Sequence, residues 1–270
     1  MTYRLGTRRR TSVALPRCDV CRGQGLLELA PLPGGRWACP SCRHEVEQRR
    51  EAATLFDLPA TARHPARFTA AHIRALVDAL SGFHRVLDPF AGVGTIHRLR
   101  SYGHATVGVE LEPEWAGQRP GTVVGNALAL PFADQCFDAV ATSPAYGNRM
   151  ADHHDAGDAS ARHTYRHYLG RPLHPASSAM LQWGAAYRAF HVGAWAEASR
   201  VVRPAGRFVL NIKDHVRDGQ LVRVTDWHLE CLERLGWRVV NRWELHGAGL
   251  PHGENYDRRA GVEHIVALER

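Results

Sequence analysis

The 270-residue chain reads as an α/β protein built on a doubly wound, largely parallel sheet, preceded by a small cysteine-bearing appendage. Three observations carry this reading. The apolar run Val86-Leu87 ends in Asp88 and a glycine-bearing turn, Pro89-Phe90-Ala91-Gly92-Val93-Gly94, after which a helical pattern starts at Thr95. Further short apolar runs alternate with helical stretches down to Leu268. Two Cys-x-x-Cys pairs stand apart near the amino terminus.

Bulk properties set the outer limits. Hydrophobic residues make up 44% of the chain and charged residues 23%, ordinary values for a globular protein. No apolar run approaches the roughly 20 residues needed to cross a bilayer, so no membrane partner is expected. Met1 to Arg10 is basic but leads into no signal-peptide core. The expected location is cytoplasmic. The formal net charge is +7, and Lys213 is the only lysine among 34 basic side chains. Such a balance favours polyanionic partners through phosphate contacts and counterion release.

Cys18-x-x-Cys21 and Cys39-x-x-Cys42 are separated by 17 residues, and each fits one knuckle of a zinc ribbon. Pro33-Gly34-Gly35 supplies a turn for a short hairpin between them. Four thiolates form a closed tetrahedral shell, so the metal, zinc, is expected to be structural. A segment this short folds on metal binding. Disulfides would require an oxidising compartment, and free thiols are the other alternative. Arg8, Arg9, Arg10, Arg17, Arg22, Arg36 and Arg43 surround the pairs, which suits either a nucleic-acid contact or a solvated basic face. Glu45 to Asp57 reads as a charged linker helix. The domain boundary is placed at residue 60, giving 1–60 and 61–270.

In the larger part, Thr69 is positioned to cap a helix with Ile73, Leu76, Val77 and Leu80 on one face. Arg85 to Asp88 is the first strand, and the helix after the glycine turn runs to about Tyr102. A phosphate-binding loop would end in Gly-Lys-Ser/Thr, which is absent. A dinucleotide fingerprint would carry a third glycine where His97 stands. Thr106 to Val109 is the second strand, ending in Glu110, and Thr122 to Gly125 the third, followed by Asn126-Ala127. Ala139 to Thr142 is the fourth, and Ser143-Pro144-Ala145-Tyr146-Gly147 follows it. The stretch from Gly147 to about Met180 shows little periodicity and is rich in His, Arg and Tyr, including His163 and His167. Directly after the fourth-strand loop, it suits a substrate-binding lid, a plain surface loop or, at His163-x-x-x-His167, a metal site. Leu181 to Val202 is a helix with Trp183, Tyr187, Phe190, Trp195 and Val202 as core candidates. Arg207 to Ile212 is the fifth strand, with Lys213-Asp214-His215 at the cleft edge. Thr225 is positioned to cap a helix reaching Leu235. Trp237 to Leu245 and Val262 to Leu268 complete seven strands.

The glycine loop and the Ser143 loop, in this order and about fifty residues apart, resemble the cofactor and catalytic loops of S-adenosylmethionine-dependent DNA amino-methyltransferases, the cytosine-N4/adenine-N6 family. The resemblance covers roughly residues 60 to 270. It implies a seven-stranded, Rossmann-like methyltransferase sheet with its last strand antiparallel. It implies that Asp88, Pro89, Phe90, Gly92, Gly94 and Thr95 bind S-adenosylmethionine, with Glu110 on the ribose and Asn126 and Ala127 at the adenine. It implies that Ser143 and the Pro144 carbonyl accept the two hydrogens of a base amino group while Tyr146 stacks on the base. Serine at the first position is commoner in cytosine-N4 enzymes, which favours that target over adenine N6. The chain departs from the family at Asn126, often an aspartate, and at Ala145, usually a second proline. DNA is the expected partner. The alternatives are a transfer-RNA guanine-N2 methyltransferase and a non-catalytic nucleic-acid-binding module on the same fold. Oligomeric state is not readable from the sequence.

Overall fold

The computed structural model describes residues 30–32, 36–38, 64, 66–147, 164–217, 219–246 and 261–270. The chain divides into two compact units, Met1–Gln48 and Arg49–Arg270. In the first, β1 (Ala30–Leu32) pairs antiparallel with β2 (Arg36–Ala38), Leu32 opposite Arg36, so Pro33-Gly34-Gly35 joins the two strands of the expected hairpin. Cys18, Cys21, Cys39 and Cys42, the linker helix and the boundary at residue 60 lie outside the described residues.

The second unit carries a seven-stranded sheet. Its elements are α1 (Ala70–Ala79), β3 (Arg85–Asp88), a 3₁₀ segment (Thr95–Tyr102), β4 (Ala105–Glu110), α2 (Pro113–Ala116), β5 (Thr122–Val124), β6 (Phe137–Thr142), α3 (Tyr165–Leu169), α4 (Ala185–Val201), β7 (Val202–Ile212), β8 (His215–Arg217), β9 (Gln220–Val222), α5 (Val224–Arg234), β10 (Arg238–His246) and β11 (Val262–Glu269). The strand order is β10-β11-β7-β6-β3-β4-β5. β5, β4, β3, β6 and β7 run parallel, and β11 is antiparallel to both β7 and β10. This is the seven-stranded, doubly wound, Rossmann-like sheet with an antiparallel last strand that the sequence implies.

Period-two alternation divides the strand side chains between two cores. Leu87, Val140, Phe208, Leu210, Val266 and Leu268 face one side, where Trp195 and Ala198 of α4 and Leu232 of α5 cover them. Val86, Ala139, Ala141, Val209, Ile265 and Ala267 face the other, against Ile73 and Leu76 of α1 and Ile96 and Leu99 of the 3₁₀ segment. Central strands buried on both faces read as near-continuous apolar runs, which is why they were visible in the sequence. β10, at the sheet edge, is largely exposed and carries Arg238, Arg242 and Glu244, charges that discourage further strand pairing.

Several local expectations are corrected. The helix after the glycine turn is wound as 3₁₀, bounded at both ends by left-handed glycines, Gly94 and Gly103. Its His97 ring bonds Thr106 Oγ1 and Thr122 Oγ1, each at 2.8 Å, and so ties the segment to β4 and β5. β7 begins at Val202, five residues earlier than expected, because Phe137 pairs with Val202 before the register shifts and resumes at Ala139 with Arg207. Thr225 does not cap α5. Asp214 does so from eleven residues back, accepting the Thr225 amide at 2.8 Å. At α1 the expected cap holds: Thr69 Oγ1 accepts the His72 amide, and the His72 ring accepts the Thr69 amide.

Candidate active site

Strand order reverses beside β3. The chain winds outward through β4 and β5, then returns to place β6 on the other side of β3. Ligands of open α/β sheets bind in the crevice at the carboxyl ends flanking such a switch point. Asp88 closes β3 and Thr142 closes β6, and the Thr142 hydroxyl donates to Asp88 Oδ1 at 2.6 Å. Asp88, 2% exposed, also accepts the Phe90 amide at 3.0 Å. Burial pushes its carboxyl up to about 7 against these two hydrogen bonds.

The loop beyond Asp88 needs its glycines. Gly92 and Gly94 have φ of 52° and 70°, a region that other residues rarely adopt. Glu110, at the end of β4, reaches back to this loop. Its Oε2 accepts the Gly92 amide at 2.8 Å and its Oε1 the Glu112 amide at 2.9 Å. Burial raises its carboxyl to about 7 in spite of those bonds. Each carboxylate oxygen keeps a further lone pair for a hydroxyl donor. Pro89 forms the turn with Phe90, whose ring stacks on His191 at 5.9 Å and meets Trp195 edge-on, anchoring the loop to α4. Thr95 Oγ1 accepts the Phe68 amide at 3.4 Å. Asn126 Oδ1 accepts the Leu128 amide at 2.9 Å in a local turn and keeps a second lone pair, while Ala127 is buried in the core.

The Ser143 loop sits across the crevice, and two sets of side chains hold it. Ser143 Oγ lies 2.9 Å from the Tyr146 hydroxyl, which donates to Glu263 Oε1 at 2.6 Å. Asn211 Nδ2, from the end of β7, donates to Glu263 Oε1 at 2.7 Å and lies within 3.2 Å of Ser143 and Tyr146. Behind the loop, Tyr187 donates to the Ala145 carbonyl at 2.7 Å. His228 Nε2 donates in turn to Tyr187, because Trp195 Nε1 donates to its Nδ1. Pro144 is buried between these supports. Gly147 ends the loop with φ of 66°, and a Cβ there would meet the Trp183 amide nitrogen at 2.9 Å. Gly147→Ala is therefore expected to cost about 1–3 kcal/mol in a chemical melt and to slow turnover by moving the loop.

Part of the long segment after the loop is described, and it packs against the glycine loop. Tyr165 and Leu173 cluster with Val93 and Trp115, and the His64 ring lies edge-on to both Trp115 and Tyr165. Arg171 bonds Glu112 at 2.7 Å and Glu114 at 2.6 Å, and the His174 amide donates to Glu112, itself 1% exposed. These bonds fasten residues 164–180 over the Gly92–Glu110 corner. His163 lies outside the described residues, and among the described residues no cluster of three or more His, Cys, Asp or Glu is arranged to hold a metal. No helix among them is long and apolar enough to cross a membrane.

Buried histidines set the pH response. Burial lowers His64 and His191 to about 4, and it lowers His97 and His228 well below 6.5. Their stabilisation is complete above about 6.5, where the unfolded chain also carries them neutral, and it fades as pH falls toward 4. Asp88 and Glu110 act oppositely, since the folded state takes up their protons first as pH falls below about 7. Four groups outweigh two, so the melting temperature is expected to fall between pH 7 and pH 5. A flat profile would contradict the burial of these rings.

Glu263, Asn211, His72 and His228 have no place in the sequence expectations, and Tyr187 was expected only as a core residue. Of those missed, only Asn211 left a trace, as a polar residue closing the apolar run Phe208-Val209-Leu210.

No protein-family model and no curated protein matches the sequence. Among solved structures, a geranyl diphosphate C-methyltransferase from Streptomyces coelicolor is similar at 16% identity, covering 74% of this chain and 76% of its own, with a TM-score of 0.49. A SAM-dependent methyltransferase from Methanosarcina mazei is 12% identical, covering 76% of this chain and 99% of its own, with a TM-score of 0.47. A TehB-like SAM-dependent methyltransferase from Corynebacterium glutamicum is 21% identical, covering 85% and 98%, with a TM-score of 0.41.

Proposed function

We propose that the chain is an S-adenosylmethionine-dependent methyltransferase acting on an exocyclic amino group of a DNA base, cytosine N4 before adenine N6. The observation that carries the reading is the pairing of the two loops across the switch point, joined by the Thr142–Asp88 hydrogen bond. The residues fit the cofactor. Two positive-φ glycines let a ligand approach the backbone, and two buried carboxylates, Asp88 and Glu110, offer acceptors to hydroxyl and ammonium groups. Bound there, S-adenosylmethionine supplies an electrophilic methyl group. Ser143 Oγ and the Pro144 carbonyl accept the amino hydrogens and aim the nitrogen lone pair, and Tyr146 presents its ring to the base. Positioning of this kind supplies most of the rate enhancement.

Arg67, Arg98 and Arg119 support a polyanionic substrate. Arg98 bonds the carbonyl of Phe68, next to Arg67, and Arg119 feels the charge of both. None of the three has a carboxylate partner among the described residues. Arg119→Ala is expected to weaken DNA binding and to reduce the slope of log affinity against log salt by about one. An unchanged slope would remove these arginines from the interface.

Cys18, Cys21, Cys39 and Cys42 are proposed as a structural zinc site, supported by their spacing and by the β1–β2 hairpin between the pairs. Metal analysis is expected to give one zinc per chain, lost on Cys18→Ser with Cys21→Ser.

Nucleoside mass spectrometry decides the function. Protein and S-adenosylmethionine are incubated separately with unmodified DNA and unmodified transfer RNA, then each is digested. N4-methylcytosine or N6-methyladenine in the DNA supports the proposal. Methylguanosine in the RNA alone replaces DNA with RNA, and no product with no cofactor binding favours a non-catalytic module.

A further inference from the structure

Serine in the first position of the catalytic loop poses a chemical problem. A hydroxyl is both donor and acceptor, whereas an amino group with two hydrogens needs acceptors. An aspartate there would accept only. We propose that Glu263, at the start of β11, supplies the missing carboxylate at a distance and acts as a positioning residue that makes Ser143 an acceptor. This inference rests on the amino-methyltransferase reading above.

The direction of each hydrogen follows from Glu263. Burial opposes its ionisation, but hydrogen bonds from His72, Tyr146 and Asn211 together hold its carboxyl down to about 2. It is therefore acceptor-only. The Tyr146 hydrogen must point at Glu263 Oε1, 2.6 Å away. Tyr146 oxygen is then left as an acceptor, and Ser143, 2.9 Å away, donates to it. Asn211 cannot reverse the chain. Its Nδ2 must face Glu263, since Oδ1 there would set two acceptors 2.7 Å apart. The Ser143 hydrogen thus points inward, Asn211 Nδ2 faces one lone pair of Oγ at 3.2 Å, and the second lone pair is left for an amino hydrogen. His72 fixes the far side of the carboxylate: its Nε2 lies 3.2 Å from Glu263 Oε2, and Thr69 bonds its Nδ1 at 2.6 Å. The cap of α1 is in this way the outer end of a hydrogen-bonded line that ends at Ser143.

The test moves the carboxylate. Single-turnover methyl transfer and cofactor affinity are measured for the wild type, Glu263→Gln, Ser143→Asp and the double variant, all as full chains. Glu263→Gln keeps an acceptor for Tyr146 but loses the charge. It is expected to slow transfer about tenfold to a hundredfold with unchanged cofactor affinity. Ser143→Asp alone is expected to be slow, because two carboxylates then compete across Tyr146. In the double variant the acid stands at position 143 itself, and transfer is expected to be faster than in Glu263→Gln alone. A merely structural glutamate predicts no such reversal. Glu263→Gln within twofold of the wild type, or a double variant no faster than Glu263→Gln, overturns the proposal.

A readout on the free protein separates this from the function. Proton NMR is expected to show a downfield hydroxyl resonance that disappears in Tyr146→Phe and moves upfield in Glu263→Gln. If the wild type methylates neither DNA nor RNA, the functional reading fails, while this resonance still decides the wiring. Its insensitivity to Glu263→Gln overturns the inference.

Discussion

His228→Ala is expected to destabilise the larger unit by about 3–5 kcal/mol, with a melting temperature lower by roughly 10 °C. His228 is fully buried and both ring nitrogens are used, Nδ1 by Trp195 and Nε2 by Tyr187. Removing the ring opens a cavity among Tyr187, His191, Trp195 and Trp227. It also strands the Trp195 N–H in an apolar interior, where an unpaired donor carries its full desolvation cost. The damage does not stop at stability. Tyr187 is oriented from one side by His228 and from the other by the Ala145 carbonyl, so the Ser143 loop loosens as well. Urea unfolding checks the first effect. A loss below about 1 kcal/mol would mean that the buried line Trp195–His228–Tyr187 is not formed.

Ser143→Ala and Glu110→Ala are expected to fail in opposite ways. Ser143→Ala removes the acceptor and is expected to lower turnover by about 10²–10³-fold, the loss typical of one well-placed polar group. S-adenosylmethionine should still raise its melting temperature. Glu110→Ala takes the carboxylate from the end of β4, releases the Gly92 and Glu112 amides, and is expected to abolish that thermal shift. Initial rates and cofactor-dependent melts on the two variants test the assignments together. Unchanged turnover in Ser143→Ala would remove the Ser143 loop from the chemistry.

The two loops and the strands that carry them were legible in the sequence because their signals are local. Arg85 to Asp88 is an apolar run closed by an acid, and Gly92 and Gly94 mark a backbone path that other residues resist. The parallel strands stood out because burial on both faces makes them continuously apolar. Glu263 was invisible for the opposite reason. It lies 117 positions from Tyr146, and only the pairing of β11 with β7 brings it there. The α5 cap shows the same limit. Thr225 had the right chemistry, but the helix starts before it at Val224, and its amide is accepted by Asp214 from the far side of the β8–β9 pair. Asn126, expected at the adenine, also closes a turn on Leu128, a local use that asparagine offers and the sequence does not announce.

The position of β11 bears on how the protein is made. Among the described residues β10 pairs with no strand but β11, and β11 bridges it to β7. A growing chain that has emitted β10 therefore has nowhere to dock it, and a stretch of backbone donors and acceptors waits exposed until the final strand threads between. Glu263 arrives with that strand. The Ser143 loop can fold against Tyr187 and His228 well before then, but the Glu263 carboxylate that bonds Tyr146 reaches it only with β11. A nascent or truncated chain lacking β11 would hold a nearly complete switch-point crevice with Tyr146 unanchored, and would be prone to edge-to-edge association.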